Sequence, residues 1–210
     1  MSDTTIRERI RAAGAISVLT IENPEDGPDV ARALIDGGID VMEVTLRTDN
    51  ALKAIENIAG SVPDILLGVG TVLTPDQVQR AADAGAAFGV SPGLNPEVVK
   101  KAQSLDLPFA PGIATPSEIE QALTLNCQLL KFFPAEPSGG LKYLKSMAAP
   151  YSHLGLEYIP LGGVSTENIR EYLSYPSIPA VGGSWLAPKN VIREKDRSEE
   201  RRVGKECATG

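Results

Sequence analysis

Short apolar runs recur along the chain, and helix-like stretches separate them. The runs begin near Ile16, Ile39, Ile65, Ala87, Pro108, Gln128, Leu156 and Pro179, at intervals of 20 to 28 residues. Each is too short for a helix, and most are apolar on both faces, the pattern of parallel strands covered by helices. Helix boundaries fall between them. Pro28 opens a stretch that stops at Gly37 and Gly38; Thr74-Pro75 opens one that stops at Gly85; Thr115-Pro116 repeats that opening, and Ser165 starts another. Proline in the first turn, a threonine cap and a glycine stop are the expected punctuation of helices.

Eight such units predict an α/β fold of the (β/α)8 TIM-barrel type, with residues 4–14 as a short helix closing the N-terminal face. An open doubly wound sheet is the other arrangement, but no Gly-x-Gly-x-x-Gly opens the first helix. The barrel domain is expected over residues 1–192. Residues 193–206 carry 11 charged side chains in 14 positions, with Val203 as the only large apolar one. A final barrel helix needs an apolar stripe, so residues 193–210 are expected to form a charged tail rather than a native barrel helix.

Composition narrows the chemistry. The chain of 210 residues is 42% hydrophobic and 22% charged, enough for a core that needs no disulfide or metal staple. A net charge of −7 argues against nucleic acid or an anionic membrane as a partner. No apolar run approaches the roughly 20 residues that span a bilayer, and Met1 to Arg11 holds no signal-peptide core. Two sparse cysteines, Cys127 and Cys207, suit the cytoplasm and cannot build a cysteine-rich metal site. His153 is the only histidine and reads as a loop residue. Carboxylates, lysine, arginine and backbone groups are left to carry any catalysis.

In a barrel, chemistry gathers at the C-terminal strand ends. In the second strand Glu43, Thr45 and Arg47 share one parity, and an interior Glu and Arg need either each other or a ligand. Lys131 lies in the apolar sixth strand, on one face with Leu129 and Phe133. A buried ammonium is costly unless an anion stands beside it or its function uses the neutral amine; the other reading is a lysine at a strand rim that snorkels to solvent. Thr71 follows the third strand. Gly162-Gly163 and Gly182-Gly183 end the seventh and eighth strands, where backbone N–H groups commonly bind phosphate.

These segments resemble the class I 2-keto-3-deoxy-6-phosphogluconate (KDPG) aldolases, which often also cleave 4-hydroxy-2-oxoglutarate (KHG). The resemblance covers about residues 10–190. It rests on Glu-Val-Thr-Leu-Arg-Thr at 43–48, Gly-Val-Gly-Thr-Val-Leu at 68–73, Ser-Pro-Gly-Leu at 91–94, Pro-Gly-Ile at 111–113, Lys-Phe-Phe-Pro-Ala-Glu at 131–136, Gly-Gly-Val at 162–164 and Gly-Gly-Ser-Trp-Leu at 182–186. It implies a cytoplasmic homotrimer that uses neither metal nor cofactor. It also implies cleavage of KDPG to pyruvate and glyceraldehyde 3-phosphate, with KHG to pyruvate and glyoxylate as a second reaction. By the same resemblance Lys131 is the Schiff-base lysine and Glu43 the general acid/base. Arg47 and Thr71 bind the substrate carboxylate, Pro92 and Phe133 line the substrate pocket, and Gly162, Gly163, Gly182, Gly183 and Ser184 bind phosphate. Leu161 departs from the family, which commonly has threonine there; this leaves 2-keto-3-deoxy-6-phosphogalactonate as an alternative substrate. A different phosphate-binding barrel, such as a thiamin-phosphate-synthase-like transferase, needs no strand-interior lysine. A catalytically impaired binding barrel is the remaining reading.

Overall fold

The structure, a computed structural model, describes residues 3–195 and Ser198. Apart from residues 193–195 and Ser198, the expected tail lies outside the described residues.

Helix α1 (Asp3–Ala13) precedes an alternation of parallel strands and helices. The strands are β1 (Ala15–Leu19), β2 (Val41–Thr45), β3 (Leu66–Gly70), β4 (Phe88–Val90), β5 (Phe109–Ala110), β6 (Gly112–Ile113), β7 (Leu129–Phe132), β8 (Glu157–Pro160) and β9 (Val181–Gly183). The helices between them are α2 (Gly27–Asp36), α3 (Ala51–Ser61), α4 (Pro75–Asp83), α5 (Pro96–Ser104), α6 (Pro116–Thr124), α7 (Gly140–Ala148) and α8 (Ile169–Leu173), and α9 (Lys189–Glu194) follows β9.

The strands form a curled parallel sheet in two hydrogen-bonded parts, one ordered β5-β4-β3-β2-β1-β9 and the other β6-β7-β8. The parts meet twice. Pro111 separates β5 from β6 and has no N–H to donate, so the expected fifth strand splits there: Ala110 pairs back to Val90, and Gly112 pairs forward to Lys131. At the other meeting point Leu161 bridges to Gly182.

Strand parity then sorts the side chains. Ile16, Val41, Leu66, Phe88, Val90, Ala110, Ile159 and Ala180 form one cluster with Ile6 and Ile10 of α1, which fixes the inner face. Met42 and Val44 instead join Val30, Leu34, Ile55 and Ile58 under the outer helices. Glu43 and Lys131 alternate with outer-face neighbours and therefore point inward. Helix α1 is held by a buried carboxylate: Glu157, at the start of β8, accepts from Arg7 at 2.8 Å and pairs with Arg11. With Ile6 and Ile10 beneath the inner cluster, α1 covers the N-terminal end as expected.

The predicted punctuation is largely present. Thr74 forms a capping box with Gln77, and Thr115 accepts the Glu118 N–H at 3.4 Å. Gly38 and Gly85 lie in the left-handed region, at φ +88 and +95. The stretch from Ser165 differs. The Asn168 side chain accepts the Ser165 N–H at 2.8 Å, residues 166–168 form a turn, and α8 starts only at Ile169. Past β9, α9 continues through residue 192 to Glu194 and buries Val191 and Ile192. No helix of the described residues is long and apolar enough to cross a membrane. His153 is exposed in a 3-10 turn over residues 149–154.

Candidate active site

Lys131 and Glu43 are 88 positions apart in sequence, yet their side chains meet inside the curl. Lys131 Nζ donates to Glu43 Oε1 at 3.3 Å, with the two residues 6% and 1% exposed. The sheet brings them together by curling: β2 and β7 belong to its two different parts, and both side chains project from the inner face. The Lys131 ammonium also lies 5.5 Å from the centroid of the Phe133 ring, within cation–π range. A primary amine and a carboxylate buried together can form a covalent adduct with a carbonyl and move protons beside it.

Glycines make room for this pair. Inner-face Gly68 and Gly70 sit on β3; a Cβ at Gly68 would enter the Phe88 ring, and one at Gly70 would overlap Glu43 Oε1. Gly112 lies beside Lys131 in the ladder, and a Cβ there would strike the carbonyl of Pro92. The loop holding that carbonyl is fixed by buried Ser91, whose hydroxyl donates to Gly93 O at 2.7 Å. Above Glu43, buried Thr45 donates to Leu19 O at 2.9 Å, and its hydroxyl lies 3.0 Å from that of Thr20. Gly70, Ser91 and Gly112 fall in the matched segments but had no role assigned there, and Thr20 was not singled out. The one available signal was that Gly68 and Gly70 share a strand parity, the mark of something large opposite.

The remaining expected residues spread over the C-terminal rim. Arg47 does not share the inner face with Glu43. The β2 strand ends at Thr45, the Arg47 N–H turns back to Thr45 O at 2.8 Å, and the side chain is exposed. The internal Glu43–Arg47 ion pair is absent, because Lys131 takes the carboxylate. Thr71 sits half-buried at φ +60, a strained conformation for a β-branched residue that costs about 1–3 kcal/mol. Pro92 and Phe133 are half-buried beside the lysine strand.

At the two glycine pairs the missing Cβ atoms make room for the chain's own side chains. Leu161 Cγ lies 2.6 Å from where a Gly182 Cβ would be, and the Trp185 ring covers Gly183. Leu161 itself is 5% exposed within the inner cluster. Gly162 and Gly163 adopt φ +91 and +86 and remain at the rim, as does exposed Ser184.

An inward amine facing a carboxylate inside a curled parallel sheet can serve an enzyme that works through lysine–carbonyl adducts. Comparison with known proteins agrees. The KDPG and KHG aldolase profile matches residues 6–203. A 2-dehydro-3-deoxy-phosphogluconate aldolase of Treponema pallidum is 45% identical over 195 residues, which are 93% of this chain and 92% of that protein. A Legionella pneumophila KDPG aldolase with pyruvate captured as a covalent carbinolamine superposes with TM-score 0.90 at 37% identity, covering 95% of this chain and 96% of that one. A Zymomonas mobilis 2-keto-3-deoxy-6-phosphogluconate aldolase with 3-phosphoglycerate superposes with TM-score 0.91 at 38% identity, covering 99% and 96%. The chain belongs to the KDPG and KHG aldolase family and is a lyase.

Proposed function

We propose that the protein cleaves KDPG reversibly to pyruvate and glyceraldehyde 3-phosphate, with KHG as a further substrate. The observation that carries this reading is the buried Lys131–Glu43 contact at 3.3 Å. The Lys131 amine adds to the C2 ketone to give a carbinolamine, which loses water to an iminium. Glu43, through one water, takes the C4 hydroxyl proton. The C3–C4 bond breaks, glyceraldehyde 3-phosphate leaves, and the electron pair enters the iminium as an enamine. Glu43 returns a proton to C3, and hydrolysis frees pyruvate and Lys131.

Arg47 and Thr71 bind the C1 carboxylate. An exposed arginine at the rim suits this role, since its guanidinium can turn inward onto a bound anion. Strain at Thr71 supports a functional constraint there. Pro92 and Phe133 line the pyruvate end. The N–H groups of Gly162, Gly163, Gly182 and Gly183, with Ser184, hold the phosphate. No cofactor or metal takes part in this scheme.

The sheet forms a closed eight-stranded barrel in this proposal, with β5 and β6 counted as one strand; the Pro111 crossover and the Leu161–Gly182 bridge support closure. Residues 1–192 carry the site, 193–210 add no catalytic group, and the working form is a cytoplasmic homotrimer. Borohydride reduction in the presence of pyruvate tests the chemistry. Peptide mass mapping should find one carboxyethyl group per chain, on Lys131. Labelling at another lysine, or none, refutes the assignment.

A further inference from the structure

The loops leaving β7 and β8 are fastened to each other by groups that the reaction itself does not use. The Ala135 N–H donates to Leu161 O at 2.7 Å, and the Glu136 N–H donates to Gly162 O at 2.9 Å. Glu136 lies so close to the following glycine that a Cβ at Gly163 would sit 2.5 Å from its own Cβ. On the other side, Asn168 Nδ2 donates to Gly163 O at 3.2 Å. The Gly162–Gly163 turn is thus held between Glu136 and Asn168.

What anchors Glu136 is Tyr172. Its hydroxyl donates to Glu136 Oε1, and the residue is 1% exposed on α8, in one cluster with Val164, Ile169 and Val181. Burial, and then the hydrogen bond to Glu136, push the phenol well above its ordinary pKa, so it remains a donor throughout the neutral range. A flexible, exposed carboxylate side chain is thereby tied to a packed ring.

We propose that Glu136 and Tyr172 are a positioning pair that fixes the Gly162–Gly163 turn and so sets the preference for substrates ending in phosphate over those ending in carboxylate. This rests on the reading of that turn as part of the phosphate site. Backbone donors bind an anion well only if they are already oriented, and loss of the pair frees the turn to move. Lys131 itself is held in the β7 ladder between β6 and β8, apart from the pair.

The test uses Tyr172→Phe, Glu136→Ala and Glu136→Gln in the full chain. Binding of glycerol 3-phosphate is followed by the fluorescence of Trp185, the only tryptophan, whose ring covers Gly183. Steady-state rates on KDPG and KHG give the second readout. Removing one anchoring hydrogen bond is worth about 1 kcal/mol, roughly five- to tenfold in binding. Tyr172→Phe and Glu136→Ala should therefore weaken glycerol 3-phosphate and raise KM for KDPG by about that factor, with kcat and both KHG constants nearly unchanged. Glu136→Gln keeps an oxygen acceptor for Tyr172 and should restore wild-type KM. Equal losses on both substrates, or a Gln variant no better than Ala, overturn the proposal. Wild-type protein that does not bind glycerol 3-phosphate refutes the phosphate reading and the pair with it; wild-type binding with unchanged variants refutes the pair alone.

Discussion

Gly70→Ala probes the active site by a single carbon. Gly70 ends β3 with ordinary strand geometry, so the backbone itself admits alanine. The new methyl would overlap Glu43 Oε1 and touch Thr45 Cγ2 at 3.4 Å. Thr45 is fixed by its bond to Leu19 O, so the carboxylate must give way. Restoring van der Waals distance takes a shift of about 1 Å. Moving the carboxylate from 3.3 Å to about 4.3 Å from Lys131 Nζ weakens their attraction by about 1 kcal/mol at an effective dielectric of about 20. The larger effect is on proton transfer, since a misplacement of about 1 Å can cost about a hundredfold in rate. We expect kcat for KDPG to fall by about that factor, while borohydride trapping of pyruvate on Lys131 persists. A lactate-dehydrogenase-coupled assay reads pyruvate release. Gly60→Ala, in α3 with nothing within 4 Å of the new methyl, is the control. It should leave kcat unchanged and stabilise by about 0.5–1 kcal/mol. A Gly70→Ala enzyme within threefold of wild type would refute the claim that this glycine sets the Glu43 position.

Glu43→Gln keeps the shape of the side chain and removes the base, and turnover should drop about a hundredfold or more by the same assay; near wild-type rates would move proton transfer elsewhere. Burial raises the Cys127 thiol from 9.0 to about 11 and the Tyr158 phenol from 10.0 to about 12. Their neutral forms persist longer in the folded chain, so the stability they contribute is complete below about pH 9. It declines as pH rises toward 11 and 12, with about 2 kcal/mol lost at Cys127 by pH 11. Thermal midpoints by circular dichroism should fall from pH 9 upward, less steeply in Cys127→Ala, and equal slopes in the two proteins would contradict this. Truncation after Lys195 keeps its 3.1 Å ion pair with Asp26 and should leave kcat within error of the full chain; a clear loss would assign the removed residues a catalytic role.

Much of the fold is local information, and local information is legible in sequence. Period-two and period-3.6 patterns, the Thr-Pro openings at 74–75 and 115–116 and the glycine stops all concern neighbours a few residues apart. Lys131 stood out for the same reason: a cation inside an apolar run is anomalous within its own strand. Other features depend on atoms that only folding brings near. The partner of Glu43 could have been Arg47, four residues away; the curl of the sheet gave it to Lys131 instead. Strand parity predicted an inward Arg47, but the strand ends at Thr45 and parity has no meaning beyond it. No local pattern showed that Leu161 and Trp185 would pack where Gly182 and Gly183 lack a Cβ. The expected helix from Ser165 was shortened because the Asn168 side chain bonds the backbone around the Gly163 turn. Sequence thus determined which segments become strands and helices and which residue types could react. Tertiary structure decided which of those residues meet, because side-chain pairing depends on the direction of approach and on competition among partners far apart in the chain.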